Sequence, residues 1–160
     1  MKSLVVYFSW SGNVRAVAEE IQKQTGAVVF EITPETQYTD DYNALLDIAR
    51  AEQRNKARPA FVGSIENLDE YSVVYLGFPN WWADMPMIVY TLLDEYDLSG
   101  KTIIPFCSHG GGRFGQSLTA IAKLAPDINM GAALSIHYSG GSSLIRDIGG
   151  WLYQNGIQKQ

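Results

Sequence analysis

Apolar residues in this chain fall into five short runs, separated by stretches in which they recur every three or four positions. Short apolar runs bounded by turn residues indicate buried strands, and the three-to-four spacing indicates one face of a helix. The strands are predicted at 4–8, 27–32, 72–78, 102–107 and 130–137. The helices are predicted around 14–21, over 41–54, from Pro86 to Leu93, over 115–124, and at the end of the chain with Leu144, Ile145, Ile148, Trp151 and Leu152 turned inward.

This alternation of strand and helix predicts an α/β fold. Strands joined through helices form a parallel sheet with right-handed crossovers, so helices cover both faces and the domain has three layers. We expect one such domain over residues 1–160. Two strand orders are common in folds of this kind, 3-2-1-4-5-6 and 2-1-3-4-5. The three unusual turns of this chain follow strands one, three and four, which meet at the ligand-binding edge in the order 2-1-3-4-5, and we therefore predict that order.

The first of these turns, Ser9 to Val14, joins a strand to the start of a helix. The first backbone N–H groups of a helix lack internal partners and its dipole is positive there, which favours an anion. Gly12 lets the backbone approach a bound group, and Ser9 and Ser11 supply hydroxyl donors. The alternative is a helix capped by Ser11 or Asn13 that binds no ligand.

The second turn, Pro79 to Pro86, contains two adjacent tryptophans, Trp81 and Trp82. A loop cannot bury both rings without also burying its backbone, and an indole plane offers a stacking surface for a flat heteroaromatic ring. The alternative is that one tryptophan fills the edge of the core while the other lies on the surface.

The third turn runs from Ser108 to Gly112 and contains three consecutive glycines. Their exposed N–H groups are suited to donate to carbonyl oxygens at the edge of a ligand ring. A flexible loop without a ligand is the alternative. The same segment fits a Cys-x5-Arg phosphatase loop from Cys107 to Arg113, but Phe114 stands where a hydroxyl residue normally follows the arginine.

Composition narrows the range of functions. The chain has 160 residues with 46% hydrophobic content, one cysteine and a net charge of −5. One cysteine excludes an internal disulfide and a cysteine-based metal cluster. The negative charge argues against nucleic acid, which requires a basic face. We expect no signal peptide, no membrane span and a cytoplasmic protein.

Taken in chain order, the three turns resemble those of the short-chain flavodoxins. The flavodoxin phosphate loop has the pattern Thr/Ser-x-Thr/Ser-Gly-x-Thr, which this chain matches at positions 9, 11 and 12 and departs from at Val14. Residues 77–82 resemble the Pro-x-Trp-Trp loop of a bacterial flavodoxin-like branch. The resemblance covers essentially the whole chain.

The resemblance implies an FMN cofactor, with its phosphate at the first turn and its ring between the second and third turns. It does not say whether Trp81 or Trp82 stacks on the ring. His109 either contacts the ring or is a surface histidine, and Arg15 either neutralises the phosphate or is solvated. The implied cofactor-binding residues are Ser9, Trp10, Ser11, Gly12, Asn13, Val14, Pro79, Asn80, Trp81, Trp82, Ala83, Ser108, His109, Gly110, Gly111 and Gly112.

The resemblance also implies an electron-transfer protein that carries low-potential electrons between a flavodoxin reductase-like donor and acceptor enzymes, as a monomer, with a dimer left open. The alternatives are an FMN-dependent NAD(P)H or quinone oxidoreductase and, more remotely, the phosphatase. Acidic residues at Asp84, Asp94, Glu95 and Asp97 are candidates for steering a basic partner, or else form a solvated helix end. Flavodoxins often have a glycine beside the ring, whereas this chain has Ala83, for which a positive φ costs about 1 kcal/mol or more.

Overall fold

Eight strands and five α-helices make up the computed structural model, which describes residues 2–157. The strands are β1 Lys2–Tyr7, β2 Val28–Glu31, β3 Thr33–Pro34, β4 Phe61–Val62, β5 Tyr71–Pro79, β6 Thr102–His109, β7 Asn129–Met130 and β8 Leu134–His137. The helices are α1 Asn13–Thr25, α2 Tyr42–Arg54, α3 Met87–Glu95, α4 Ser117–Leu124 and α5 Leu144–Gln154. Within residues 2–157 no helix is both long enough and apolar enough to cross a membrane.

The main sheet is parallel and has the order β2-β1-β5-β6, with β7 and β8 both pairing β6 at the outer edge. Since β7 and β8 together correspond to the fifth predicted strand, this confirms the predicted order 2-1-3-4-5 and the α/β class. The carboxyl ends of β1, β5 and β6 therefore lie side by side, and each is followed by one of the three turns.

Alternate residues of the strands face two separate apolar layers. Leu4, Val6 and Phe8 pack on one side of the sheet with residues of α3 and α4, while Val5 and Tyr7 pack on the other side with residues of α1 and α5. β5 and β6 alternate in the same way. Burial on both faces explains why these strands are almost continuously apolar in sequence.

The fifth predicted strand, 130–137, is interrupted between β7 and β8. At the break, the backbone of Ala132 is bonded to the end of α5 instead of to a neighbouring strand: its N–H donates to Oδ1 of Asn155 (2.9 Å), the residue that follows the helix, and its C=O accepts from Trp151 Nε1 (2.6 Å). Side-chain partners on α5 thus replace the ladder for this short stretch. The apolar pattern of the strand does not reveal this replacement of ladder hydrogen bonds by side-chain hydrogen bonds.

Two further details differ from the predictions. The short antiparallel pair β3–β4 lies in segments that the sequence pattern left irregular. In α5, Ile148, Trp151 and Leu152 are buried as predicted, but Ile145 is 62% exposed, so its predicted inward position was wrong. Ile145 lies on the side of the first turn of α5 that the core does not cover, although its carbonyl accepts a hydrogen bond from Gln24 Nε2.

Candidate functional site

A cleft of about 530 Å³ lies where the carboxyl ends of β1, β5 and β6 meet. This volume is within the usual range for small-molecule sites. All three turns contribute to its wall, and one further wall comes from α2. The cleft is lined by Trp10, Ser11, Asn13, Tyr42, Leu45, Leu46, Ala49, Pro79, Asn80, Trp81, Trp82, Ser108, His109, Gly110 and Tyr138.

The first turn leaves the start of α1 without a side-chain cap. Gly12 occupies the N-cap position with φ +96°, and no atom lies within 4 Å of where its Cβ would be. Instead of capping in the usual way, Ser9 Oγ accepts from the backbone N–H groups of Gly12 and Arg15, both at 3.2 Å. Ser11 Oγ accepts from Asn13 N at 3.4 Å. The alternative in which Ser11 or Asn13 is the N-cap is therefore not what the structure shows.

Val14 and Arg15 both turn away from the cleft. Val14 is buried in the layer between α1 and the sheet, so its side chain cannot face a ligand at this turn. Arg15 pairs with Glu31 on β2, and this hydrogen bond raises the pKa of the guanidinium. Tyr7 also donates to Glu31 (2.9 Å), and burial followed by this bond raises the pKa of Tyr7 to about 12. Arg15 lines a neighbouring cleft on the β2 side instead.

The second turn is a tight reversal with an unusual backbone. Trp81 and Asp84 exchange both of their backbone hydrogen bonds (2.8 and 3.2 Å), while Trp82 and Ala83 have φ values of +54° and +62°. Two successive positive φ values are typical of a type I′ turn, where Asn-Gly is the preferred pair. The residue that replaces the expected glycine thus does adopt the left-handed conformation.

Three residues of α2 hold Trp82 in this turn. Trp82 Nε1 donates to the carbonyl oxygen of Leu46 at 2.9 Å, and Gln53 Nε2 donates to the carbonyl oxygen of Trp82 at 3.2 Å. The guanidinium carbon of Arg50 lies 5.1 Å from the centroid of the Trp82 ring, within cation–π distance. These contacts explain how a strained backbone persists at a residue that is 44% exposed.

Trp81 has a different environment. Its ring makes edge contacts with Phe8 (centroids 5.4 Å apart) and Tyr38 (5.3 Å), so one side of it closes the edge of the core. The arrangement that we gave as the alternative, one tryptophan at the core edge and one on the surface, is therefore present. Both rings nevertheless line the cleft, which makes the second turn a wall of the site in either case.

The second and third turns are bonded to each other. Asn80 N donates to the carbonyl oxygen of Ser108 (2.9 Å), Asn80 Nδ2 donates to the carbonyl oxygen of Arg113 (2.8 Å), and Gln116 N donates to the carbonyl oxygen of Ala83 (2.7 Å). Gly115 makes this approach possible, because a Cβ there would lie 2.1 Å from the Ala83 oxygen. The opening between the two turns is thus fixed by contacts within the protein.

Both histidines of the chain lie together at the third turn. The rings of His109 and His137 are 5.6 Å apart, and Tyr138 packs on His137 at 4.4 Å. His109 Nδ1 accepts from Gly111 N (2.9 Å), which requires a neutral ring with its proton on Nε2. Burial, and next the neighbouring His137 and the Arg113 guanidinium, lower the pKa of His109.

Cys107 is 1% exposed at the end of β6, as expected for a small buried hydrophobe. Burial raises its pKa to about 12, and its Sγ donates to the carbonyl oxygen of Arg113 at 3.2 Å. A phosphatase nucleophile must instead be an accessible thiolate. The geometry of the Cys-x5-Arg segment therefore does not support that chemistry.

The acidic residues considered for partner steering lie elsewhere. Asp84 is only 7% exposed and accepts from Met85 N (2.8 Å) and the Tyr90 hydroxyl (2.7 Å), so it stabilises the second turn. Asp94 pairs with Arg58 (2.6 Å). Asp94 and Glu95 end α3 and Asp97 lies between α3 and β6, which places all three at the amino edge of the sheet, opposite the cleft.

The predicted site residues divide into two groups. The structure brings Trp10, Ser11, Asn13, Pro79, Asn80, Trp81, Trp82, Ser108, His109 and Gly110 to the wall of the cleft, and leaves Ser9, Gly12, Val14, Ala83, Gly111 and Gly112 behind it, in the turns that shape it. Sequence reasoning missed the α2 wall, Tyr42, Leu45, Leu46 and Ala49, and also Tyr138. In the sequence, Tyr42, Leu45, Leu46 and Ala49 read as the apolar stripe of an ordinary helix, with no signal that part of it faces a cleft.

Comparison with known proteins agrees with this geometry. The model of the family described as Flavodoxin matches residues 2–146. The chain is similar to a protein described as a flavoprotein from Bacteroides eggerthii DSM 20697, with 31% identity, coverage of 98% of this chain and 99% of that one, and a TM-score of 0.86. For another from Bacteroides uniformis ATCC 8492 the identity is 28%, the coverage 92% and 97%, and the TM-score 0.82.

A flavoprotein from Lactobacillus acidophilus NCFM, whose structure is a complex with FMN, shares 23% identity with a TM-score of 0.74, over 84% of this chain and 92% of that one. At this identity the likeness shows the shared fold. No curated protein sequence matches the chain significantly.

Proposed function

Because the chain belongs to the flavodoxin family, we propose that it binds FMN and carries low-potential electrons between a reductase and acceptor enzymes. The observation that carries this proposal is the chemistry of the cleft. None of the residues that line it within the described part of the chain has a permanently charged side chain, while two indoles form one wall. Such a cleft suits a flat aromatic ring.

The first turn fits the phosphate end of FMN. α1 begins without a side-chain cap, and the space above Gly12 is open. The hydroxyl oxygens of Ser9 and Ser11 lie at this turn, where they accept from the backbone N–H groups of Gly12, Arg15 and Asn13, and the positive end of the helix dipole attracts an anion to these same groups. Arg15 is occupied by Glu31, so neutral donors would hold the phosphate.

The second and third turns fit the ring end. Asn80 Nδ2 is committed to the Arg113 carbonyl, which leaves Asn80 Oδ1 buried at the cleft wall without a partner. An unpaired buried acceptor is unfavourable, and an N–H donor of a bound ring would satisfy it. Trp81 and Trp82 would hold the ring by stacking, with Gly110 and Ser108 at the opposite wall.

When bound, FMN supplies the electron transfer itself. The protein's part is to orient the ring, exclude water from its inner face and set the polarity around it. Trp82 and Tyr138, which are 44% and 56% exposed, stand at the rim of the cleft. An electron therefore has a short route from the cleft to a docked protein.

Charge close to the rim favours a basic redox partner. Asp41 and Asp47 are exposed, and they adjoin the cleft residues Tyr42 and Leu46 in sequence. With a net charge of −5, they would steer a positively charged partner surface toward the cleft. We expect the chain to act as a monomer in such encounters.

Anaerobic mixing with NADH or NADPH tests the carrier role. We expect the flavin to be reduced slowly by either nucleotide alone and rapidly when a flavodoxin reductase is added. Fast direct reduction followed by quinone turnover would contradict the carrier role.

The second candidate is an FMN-dependent NAD(P)H or quinone oxidoreductase. It is favoured by the α2 wall, where Leu45, Leu46 and Ala49 add an apolar surface beyond the two turns that would hold the ring. In the same mixing experiment, this function predicts turnover without any added reductase.

A further inference from the structure

The contacts between α2 and Trp82 form a connected group that the cofactor-binding turns do not explain. Arg50 Nη1 donates to Gln53 Oε1 at 2.8 Å, and Gln53 Nε2 donates to the Trp82 carbonyl oxygen at 3.2 Å. The Arg50 guanidinium lies on the Trp82 ring at 5.1 Å, and the indole N–H is fixed to Leu46. α2 thus contacts the backbone, the ring face and the ring nitrogen of Trp82.

Arg50 brings a positive charge to the wall of the cleft, in addition to its packing contact with Trp82. Arg50 is half-buried and does not itself line the cleft, whereas Trp82 does. No ion pair within residues 2–157 involves Arg50, so its charge is not neutralised by a carboxylate there. A positive charge therefore rests directly against a wall of an otherwise uncharged cleft.

We propose that Arg50 and Gln53 are positioning residues of the cofactor cleft, and that the charge of Arg50, carried against Trp82, makes the cleft bind reduced flavin more tightly than it otherwise would. This inference rests on the proposed FMN function. Gln53 and Arg50 hold Trp82 in its left-handed conformation, so the indole keeps one orientation. Reduced flavin carries more negative charge than the oxidised form, so a cation held against a wall of its cleft would favour it.

This role acts against the effect of the other residues that line the cleft. The indole wall and the uncharged lining lower the midpoint potential, and Arg50 partly offsets them. Its removal should therefore move the potential to a more negative value.

The test compares three changes in α2 with one matched control. Arg50→Gln removes the charge and the ring contact, Arg50→Lys keeps the charge, and Gln53→Ala removes the backbone contact without altering charge. Arg54→Gln is the control, because it removes the same charge from the same helix at an exposed position. Each purified protein is stripped of flavin, and its dissociation constant for FMN, its midpoint potential and its indole fluorescence are measured.

We expect Arg50→Gln and Gln53→Ala each to raise the dissociation constant for oxidised FMN about two- to fivefold, the factor given by contacts of this kind. Only Arg50→Gln should make the potential clearly more negative, with Arg50→Lys close to wild type. Both Arg50→Gln and Gln53→Ala should shift the indole fluorescence of the flavin-free protein, while Arg54→Gln should not.

Equal potential shifts in Arg50→Gln and Arg54→Gln would overturn the charge role, and unchanged FMN affinity in both Arg50→Gln and Gln53→Ala would overturn the positioning role. If Arg50→Gln does not fold, the other two variants still test both roles. A midpoint potential in Arg50→Lys that differs from the wild-type value contradicts the charge role, and an unchanged FMN affinity in Gln53→Ala contradicts the positioning role. A wild-type protein that does not bind FMN at all contradicts the proposed function itself, which separates the two failures.

Discussion

Replacing Ala83 by glycine should stabilise the protein, although the same replacement destabilises most helical positions. Ala83 has φ +62°, and the left-handed conformation costs an L-residue about 1–2 kcal/mol. Glycine removes that cost but adds about 0.4–1 kcal/mol of unfolded-state entropy. Because Ala83 is exposed, its methyl group contributes little packing. The net gain in the free energy of unfolding is about 0.5–1 kcal/mol.

The control is Ala51→Gly, at an exposed position of α2 with ordinary helical geometry. There glycine should lower the free energy of unfolding by about 1 kcal/mol. The two variants should therefore lie on opposite sides of the wild type. Their free energies of unfolding should differ from each other by about 1.5–2 kcal/mol, which for a chain of this size separates their Tm values by about 5 °C.

Urea unfolding of the flavin-free proteins measures both values, with equal m-values as the sign that the same amount of surface is exposed. If Ala83→Gly is destabilised as much as Ala51→Gly, then the second turn does not hold a strained backbone. In that case the contacts of α2 with Trp82 would not be stabilising a strained backbone, and our explanation of those contacts would also be wrong.

Two further predictions follow from the third turn. Cys107→Ser should leave FMN affinity within about twofold of wild type while lowering stability by about 1–3 kcal/mol, since a hydroxyl is buried in place of a thiol; hydrolysis of an aryl phosphate by the wild type, abolished in this variant, would contradict us. For His109, the pKa is lower in the folded protein than in the unfolded chain, so the unfolded chain binds the proton more readily. The contribution of His109 to the free energy of unfolding is therefore fully present above the ordinary pKa of 6.5, and it is lost as the pH falls from 6.5 toward the folded-state pKa. His109→Asn should flatten that loss in urea titrations at about pH 5 and about pH 8, and an unchanged pH profile would show that His109 is not its source.

The apolar pattern predicted the main sheet because burial on both faces leaves a strong signal. β1, β5 and β6 are apolar on both sides, and their neighbours in the sheet were inferred from the three unusual turns, which meet at one edge in the order 2-1-3-4-5. The split between β7 and β8 was not predictable in this way. It depends on Asn155 and Trp151, which lie some twenty residues further along the chain and bond to Ala132 only in the folded state.

The candidate site was predictable at its turns and not at its helix wall. Glycine, hydroxyl and tryptophan residues indicate the turns directly, because each has a local role: glycine permits an unusual backbone conformation, a hydroxyl supplies a hydrogen bond, and an indole offers a stacking surface. Leu45, Leu46 and Ala49 are the apolar stripe of an ordinary amphipathic helix, and nothing in a single sequence shows that part of this stripe faces a cleft. The positive φ of Trp82 was likewise hidden, since α2 and not the local sequence stabilises it.

The most direct test of the whole account is a titration of the flavin-free protein with FMN and, in parallel, with riboflavin, which lacks the phosphate. We predict that FMN binds with one-to-one stoichiometry, that its fluorescence and that of the tryptophans are quenched, and that riboflavin binds at least about tenfold more weakly because it makes no contact with the first turn. Denaturing the protein as purified should release the same cofactor. Recovery of FAD, equal affinity for riboflavin, or no quenching by either flavin would contradict the account.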